Sequence, residues 1–200
     1  MQKIRLIAIT MLVTCMASTA TGIADDKGWT TDVSSAIKSG KKSGKDLLLL
    51  FTGSDWNEPS KKLEQEIFET DAFRDEAPNM FELVVFDFPR NKRLTKPIVE
   101  QNKKWAEKFG ISDYPTLVLV DDKQRPFAIT GYREMDAEEY LGMLGEFRQK
   151  RIKRDEAFDK AKATDNKKEK AKFLDEAISM MGEDIARLYY EEYILSLIHI

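Results

Sequence analysis

The run Leu47-Leu48-Leu49-Leu50-Phe51 is apolar at every position and is bounded by Lys45-Asp46 and Thr52-Gly53. A strand with one wet face alternates apolar and polar residues. This one does not, so both of its faces must be covered. A second run of the same kind, Phe81-Glu82-Leu83-Val84-Val85-Phe86-Asp87-Phe88, stops at Pro89. Strands buried on two faces require helices on both sides of the sheet, which points to a layered α/β fold.

The intervening segments supply those helices. Trp29, Val33, Ala36 and Ile37 recur at helical spacing, with Asp32 as N-cap and with Gly40 and Ser43-Gly44 as the stop. After Trp56, a helix turns Leu63, Ile67 and Phe68 inward, and a short turn brings Phe73 against it. Between Lys96 and Phe109, one face carries Ile98, Asn102, Trp105 and Phe109, and Gly110 is a natural C-cap. Thr116 to Val120 and Phe127 to Tyr132 read as strands joined by the turn Asp121-Asp122-Lys123-Gln124. Asp136 and Glu139 then make a capping-box pattern ahead of Ala137, Tyr140, Leu141, Leu144 and Phe147. Two parallel crossovers followed by a hairpin predict an α/β sandwich around a small mixed sheet.

Beyond Arg148 the composition shifts to Lys, Glu, Asp and Ala. Ala157, Phe158 and Ala161 keep helical spacing, as do Phe173, Leu174, Ala177, Ile178 and Met181, with Thr164-Asp165-Asn166 between the two sets. This predicts a C-terminal all-helical extension, a hairpin over 151–194, with a third helix starting near Glu183 and carrying Ile185, Leu188 and Tyr189. The hairpin serves either as a solvated extension packed on the domain or as a partner-binding module, and one hairpin is too little for a repeat array.

The two ends carry expectations of their own. Lys3 and Arg5, the apolar stretch Leu6 to Val13 and the small residues to Gly22-Ile23-Ala24 have the form of a signal peptide over 1–24, leaving a domain over 25–150. The chain is then expected to be exported, to the periplasm or cell envelope. Membrane attachment would require an uncleaved leader or lipid on Cys15. The last six residues, Leu195-Ser196-Leu197-Ile198-His199-Ile200, have the form of a non-native, adapter-derived tail, with the true sequence continuing past Ile194.

These ends bound the chemistry. Cys15 is the one cysteine and falls in the leader, so the mature chain has no thiol for disulfide exchange or thiolate metal binding. His199 is the one histidine and falls in the tail, which removes the commonest general base and metal ligand. The net charge of −3 comes from interspersed acids and bases, without the clustered basic face of a nucleic-acid binder. No phosphate-binding glycine loop, calcium loop or metal-ligand cluster is present in the sequence, so no cofactor and no metal are expected.

Four features now stand together: the strand Leu47 to Phe51, the turn Thr52-Gly53-Ser54-Asp55-Trp56, the helix after it, and Tyr114-Pro115-Thr116 before the third strand. Over Trp29 to Arg148 the chain resembles the thioredoxin-like superfamily, in an exported bacterial branch. In that family the Trp precedes Cys-x-x-Cys. Here the box is Asn57-Glu58-Pro59-Ser60, with Glu58-Pro59 where the family often has Gly-Pro. The resemblance implies a cis peptide before Pro115, beside the box. It also implies a groove for an extended polypeptide, built from Trp56, Asn57, Glu58, Pro59, Ser60, Tyr114, Pro115 and Thr116.

Asn57 is an N-cap residue and not a nucleophile. A Ser60 hydroxyl would need a neighbouring base to react. Asp55, Glu58, Asp87 and Asp113 near one edge could instead do acid–base work if burial separated their pKa values. The leading expectation is a redox-inactive envelope protein that binds a polypeptide or protein partner noncovalently. The alternatives are an enzyme whose chemistry has moved to other residues or to a missing C-terminal part, and a scaffold that acts through its helical extension.

Overall fold

In the computed structural model, which describes residues 28–183 and residue 185, the first apolar run is a fully buried seven-residue strand. The elements in order are β1 (Trp29–Thr30), α1 (Val33–Ser43), β2 (Asp46–Thr52), α2 (Glu58–Leu63), a π-helical turn (Glu64–Phe68) and α3 (Asp71–Met80). There follow β3 (Phe81–Asp87), α4 (Lys96–Phe109), β4 (Thr116–Val120), β5 (Pro126–Gly131), α5 (Ala137–Ala163) and α6 (Lys167–Ser179). The sheet order is β1-β3-β2-β4-β5, with β3 parallel to both β1 and β2, and with β4 antiparallel to β2 and β5. The expected sandwich around a mixed sheet is therefore present, with the helical extension after it.

The sheet divides the core by the two-residue period of its strands. Leu48, Leu50, Leu83, Val85, Leu117 and Leu119 face Leu63, Ile67, Phe73, Tyr140 and Leu144. Leu47, Leu49, Phe51, Val84, Phe86, Val118 and Val120 face Val33, Ala36 and Phe109 from α1 and α4. Phe51 stacks on Phe86 at 4.7 Å between ring centroids and meets Phe109 edge-on at 6.4 Å. Thr70 and Asp136 cap α3 and α5 through their side chains, the second in the expected capping box with Glu139.

Four local readings are corrected. Trp29 lies on β1, opposite Leu83, and packs its ring against Phe68 at 5.0 Å, so it does not belong to the helix of Val33. The residues between Trp29 and Val33 include Asp32, whose non-helical backbone and side-chain cap separate the two. Gly40 lies within α1, where a Cβ would come within 3.0 Å of the Lys45 carbonyl; Gly44, in the left-handed conformation, is the actual C-cap. Phe73 belongs to a full helix, α3, rather than a turn, with Pro78 inside it. The fourth concerns the composition change at Arg148, which marks no break in the backbone: α5 runs unbroken from Ala137 to Ala163. The Thr164-Asp165-Asn166 break is real, with Asn166 capping α6. The leader, Cys15, Leu188, Tyr189, His199 and the 195–200 tail lie outside the described residues. Among the described residues, no helix is long and apolar enough to cross a membrane.

The start of the helical extension beyond Arg148 is tied into the domain by charge pairs. Asp46, at the start of β2 and 1 % exposed, accepts from Arg148 Nε at 3.0 Å and from the Arg151 guanidinium. Asp121, at the end of β4 and also buried, accepts from Arg125 Nε at 2.6 Å and faces Arg154 at 3.6 Å. Asp155 joins Arg125, Arg151 and Arg154. Burial alone would lower the Arg151 pKa, but the hydrogen bond and charge of Asp46, helped by Asp155 and Asp121, raise it above the ordinary value. The network anchors the second half of α5 at the end of the sheet opposite the Trp56 turn.

Removing one partner from a buried pair costs roughly 3–5 kcal/mol because the remaining charge is stranded. Asp46→Ala strands two partly buried arginines and is expected to destabilise the chain by about 3 kcal/mol in urea unfolding. A loss below about 1 kcal/mol, the size of a surface pair, would show that the network does not anchor α5.

Candidate functional site

The sheet delivers its candidate site at the carboxyl ends of the two parallel strands β2 and β3, where open α/β sheets place their ligands. β2 ends at Thr52, and Gly53 begins a tight turn in which the N–H groups of Trp56 and Asn57 both donate to the Gly53 carbonyl, at 3.2 and 2.9 Å. The Trp56 indole folds back over Gly53. A Cβ at Gly53 would fall 2.6 Å from that ring, so no other residue fits there without moving it. Trp56 Nε1 then donates to the Phe88 carbonyl at 2.9 Å, just past β3.

The two box positions serve the helix start. Asn57, in extended conformation, caps α2 by accepting from the Ser60 N–H at 2.9 Å, and Pro59 stands in the first turn. Substituting such a cap by Ala costs about 1 kcal/mol. Ser60 is 3 % exposed, and its Oγ accepts from the Gly53 N–H at 3.4 Å. Its hydroxyl therefore stitches the turn to the helix. Glu58 and Pro59 are exposed, and Glu58 pairs with Lys61 at 2.6 Å.

The other wall comes from the loop before β4. The Tyr114–Pro115 peptide is cis. Pro115 is buried, while Tyr114 and Thr116 are half-buried. Gly131 of β5 comes close beneath: a Cβ there would lie 2.8 Å from the Pro115 carbonyl. Tyr114 meets Trp56 edge-on at 6.0 Å and Phe88 at 5.1 Å, and its burial raises the phenol pKa. The eight residues expected to form the groove thus belong to one turn–helix start, one facing loop and the first residue of β4, with Trp56 and Tyr114 in contact between them.

The sequence reading missed the segment Phe88 to Asn91, treating Pro89 only as a strand stop. The Arg90 guanidinium lies 3.6 Å from the centre of the Trp56 ring, a cation–π contact. Asp55 holds that loop by accepting from the Arg90 N–H at 2.9 Å and from the Asn91 N–H at 2.6 Å. These bonds, the Arg90 one first, keep the Asp55 carboxyl below its ordinary 3.8 even against the opposing effect of partial desolvation. A usable signal was the position of Phe88-Pro89-Arg90-Asn91 at the carboxyl end of a parallel strand adjacent to β2.

The four carboxylates proposed for acid–base work are each taken up by a different partner. Asp55 holds the loop; Asp87 accepts from Ser54 N–H at 3.0 Å and from its hydroxyl at 2.7 Å; Glu58 pairs with Lys61; Asp113 accepts from Ser112 at 2.7 Å. Among the described residues, no group of His, Cys, Asp or Glu is arranged to hold a metal ion.

This geometry agrees with what the chain is similar to. Residues 33–148 match the model of a thioredoxin-like domain. The thioredoxin-related protein DsbJ of Chlamydia pneumoniae is 28% identical over 102 residues, which cover 51% of this chain and 29% of DsbJ. The disulfide bond reductase DsbH of the same organism is 24% identical over 109 residues, 54% of this chain and 66% of DsbH. The chain thus matches less than two thirds of either relative. A solved DsbH oxidoreductase superposes with a TM-score of 0.57 at 23% identity, covering 60% of this chain and 82% of that one, a likeness of fold. The chain belongs to the thioredoxin-like domain family, and it does so without a Cys-x-x-Cys pair.

Proposed function

We propose that this is an exported thioredoxin-like protein of the cell envelope that binds an extended polypeptide noncovalently and performs no thiol–disulfide exchange. One observation carries the reading. The frame that would present a substrate chain to a cysteine pair is kept, with its cis-proline and facing aromatics, while Asn57 and Ser60 are committed to the helix start. The Tyr114 backbone, just ahead of the cis bond, is the edge against which an incoming strand would align. Trp56 and Tyr114 would supply the apolar contact, being of the residue types that most often dominate binding surfaces. A chaperone or assembly role follows from such a groove.

Arg90 acts in this reading as an occluding side chain, lying on the Trp56 face that a bound chain would use. An exposed cation–π contact contributes about 0.5–1 kcal/mol, small enough for a bound segment to displace.

A scaffold role is the second reading. Phe173, Leu174 and Ile178 on α6, and Met181 just past its end, are only half-buried, which leaves apolar surface for a partner. The anchoring of α5 by Asp46 and Asp121 places that extension away from the groove, so the two surfaces can be tested separately.

Two outcomes are expected. In an NMR titration of the full chain with an unfolded, cysteine-free polypeptide, saturable shifts should appear at the amides of Trp56 to Ser60, Tyr114 and Thr116 and should vanish in Tyr114→Ala. Shifts confined to α6 would favour the scaffold instead. The second outcome concerns Asp55. Its folded pKa is lowered, so its hold on the loop is complete above its ordinary 3.8 and is lost as pH falls through the lower folded value. The Trp56 indole N–H resonance should therefore shift on acidification below about pH 4. Asp55→Asn should remove that titration, and a shift that persisted in this variant would assign it to another group.

A further inference from the structure

Along the chain acidic and basic residues are interspersed, but the fold sorts them between the two helical layers. The loop 90–95 and α4 carry seven lysines and arginines against two glutamates, and all seven basic side chains are exposed. In the same layer, α1 adds three lysines behind its Asp32 cap. On the opposite face of the sheet, segments 58–80 and 134–147 hold α2, α3 and the start of α5. They carry twelve aspartates and glutamates against three basic residues.

The candidate groove opens on the seam between these layers. Tyr114 and Phe88 pack on the core beneath α1 and α4, whereas Leu63 of α2 packs on the other core. α4 lies at the groove end of the sheet. Its Gln101 Nε2 donates to the Thr31 carbonyl, just past β1, at 2.9 Å, and its Asn102 Nδ2 donates to the Asp87 carbonyl, at the end of β3, at 2.8 Å. The basic layer enters the groove itself through Arg90, which lies on the Trp56 ring. The glutamates of α4 hold only loose pairs, Glu100 with Lys96 and Glu107 with Lys103, each at 3.8 Å. Arg90, Lys92, Arg93 and Lys104 form no ion pair among the described residues. The carboxylates on this side are engaged already, Asp55 by the Arg90 and Asn91 N–H groups, Asp87 by Ser54 and Asp113 by Ser112.

We infer that the polypeptide held in this groove is acidic on its α4 side, with neutral or basic residues on its α2 side. The inference rests on the groove reading. A bound segment that displaces Arg90 from Trp56 leaves a guanidinium without its ring, and a carboxylate in that segment accepts from the freed N–H groups. Lys92 and Arg93 continue the same charge along the loop. The far wall selects among anionic ligands. A nucleic acid or an anionic bilayer is negative throughout and is repelled by the acidic layer, whereas a polypeptide changes charge from one residue to the next.

The test is an NMR titration of the full chain at low salt with short cysteine-free peptides that share a central phenylalanine. One has glutamates before it and glutamines after it, one has the reverse, and one has glutamines on both sides. Shifts at Trp56 and Tyr114 read occupancy. One acidic peptide, set by the direction in which the chain lies, is expected to bind about tenfold more tightly than the neutral one, the size of two exposed ion pairs. In Arg90→Gln/Lys92→Gln/Arg93→Gln that advantage should vanish while the neutral peptide still saturates. All three side chains are exposed and the Asp55 bonds go to backbone N–H groups, so the loop keeps its hold in this variant. Equal affinity of all the peptides, or an advantage that survives in the variant, would overturn the inference and leave the groove standing. No saturable shift with any peptide would overturn the groove reading and the inference with it. Sedimentation with phosphatidylglycerol vesicles, together with equal peptide affinities, would make the basic layer a membrane-facing surface instead.

Discussion

Leu48 and Leu50 face one layer of helices while Leu47, Leu49 and Phe51 face the other, and β2 lies between β3 and β4 at the middle of the sheet. A strand with no wet face fixes its neighbours on both sides, because every apolar side chain it presents must be met. Its two ends inherit that rigidity. At one end Asp46 is held by Arg148 and Arg151, which fastens the long helix α5. At the other end Gly53 turns the chain under the Trp56 ring and opens α2. The candidate site is therefore presented by the most constrained strand of the molecule.

The loss of sulfur is absorbed locally. A cysteine at the first box position would use the unpaired N–H groups and the dipole of the helix start to stabilise a thiolate. Asn57 uses the same N–H groups for a neutral cap, and Ser60 ties its hydroxyl back to Gly53. What the electrostatics of a helix N-terminus gives to catalysis in one sequence it gives to stability in this one. The placing of Trp56 and Tyr114 against the Pro115 loop does not depend on that exchange, since the cis peptide, the close approach at Gly131 and the ring contact are all made by other groups.

The sheet, the caps at Asp32, Asn57 and Asp136, the cis bond and the facing box were legible because each rests on a local pattern: an unbroken apolar run, a capping residue, a Tyr-Pro pair before a strand. Three things were not. β1 is too short for any periodicity, and Trp29 could be assigned only by pairing with Leu83, far along the chain. The arginines of α5 had no role legible in the sequence because their partners, Asp46 and Asp121, are brought near only by the fold. Arg90 and Asp55 likewise meet across thirty-five positions, which composition cannot show.

The central claim is that the site retains a polypeptide-presenting frame from which only the thiols are missing. Restoring them in Asn57→Cys/Ser60→Cys tests it most directly, with reduction of insulin disulfides read as turbidity and dithiothreitol as the electron source. The account predicts that the double variant forms an internal disulfide when oxidised and accelerates insulin reduction, while the parent chain stays at the uncatalysed rate. A double variant whose two cysteines never pair, or which pairs them and yet leaves insulin untouched, would contradict it.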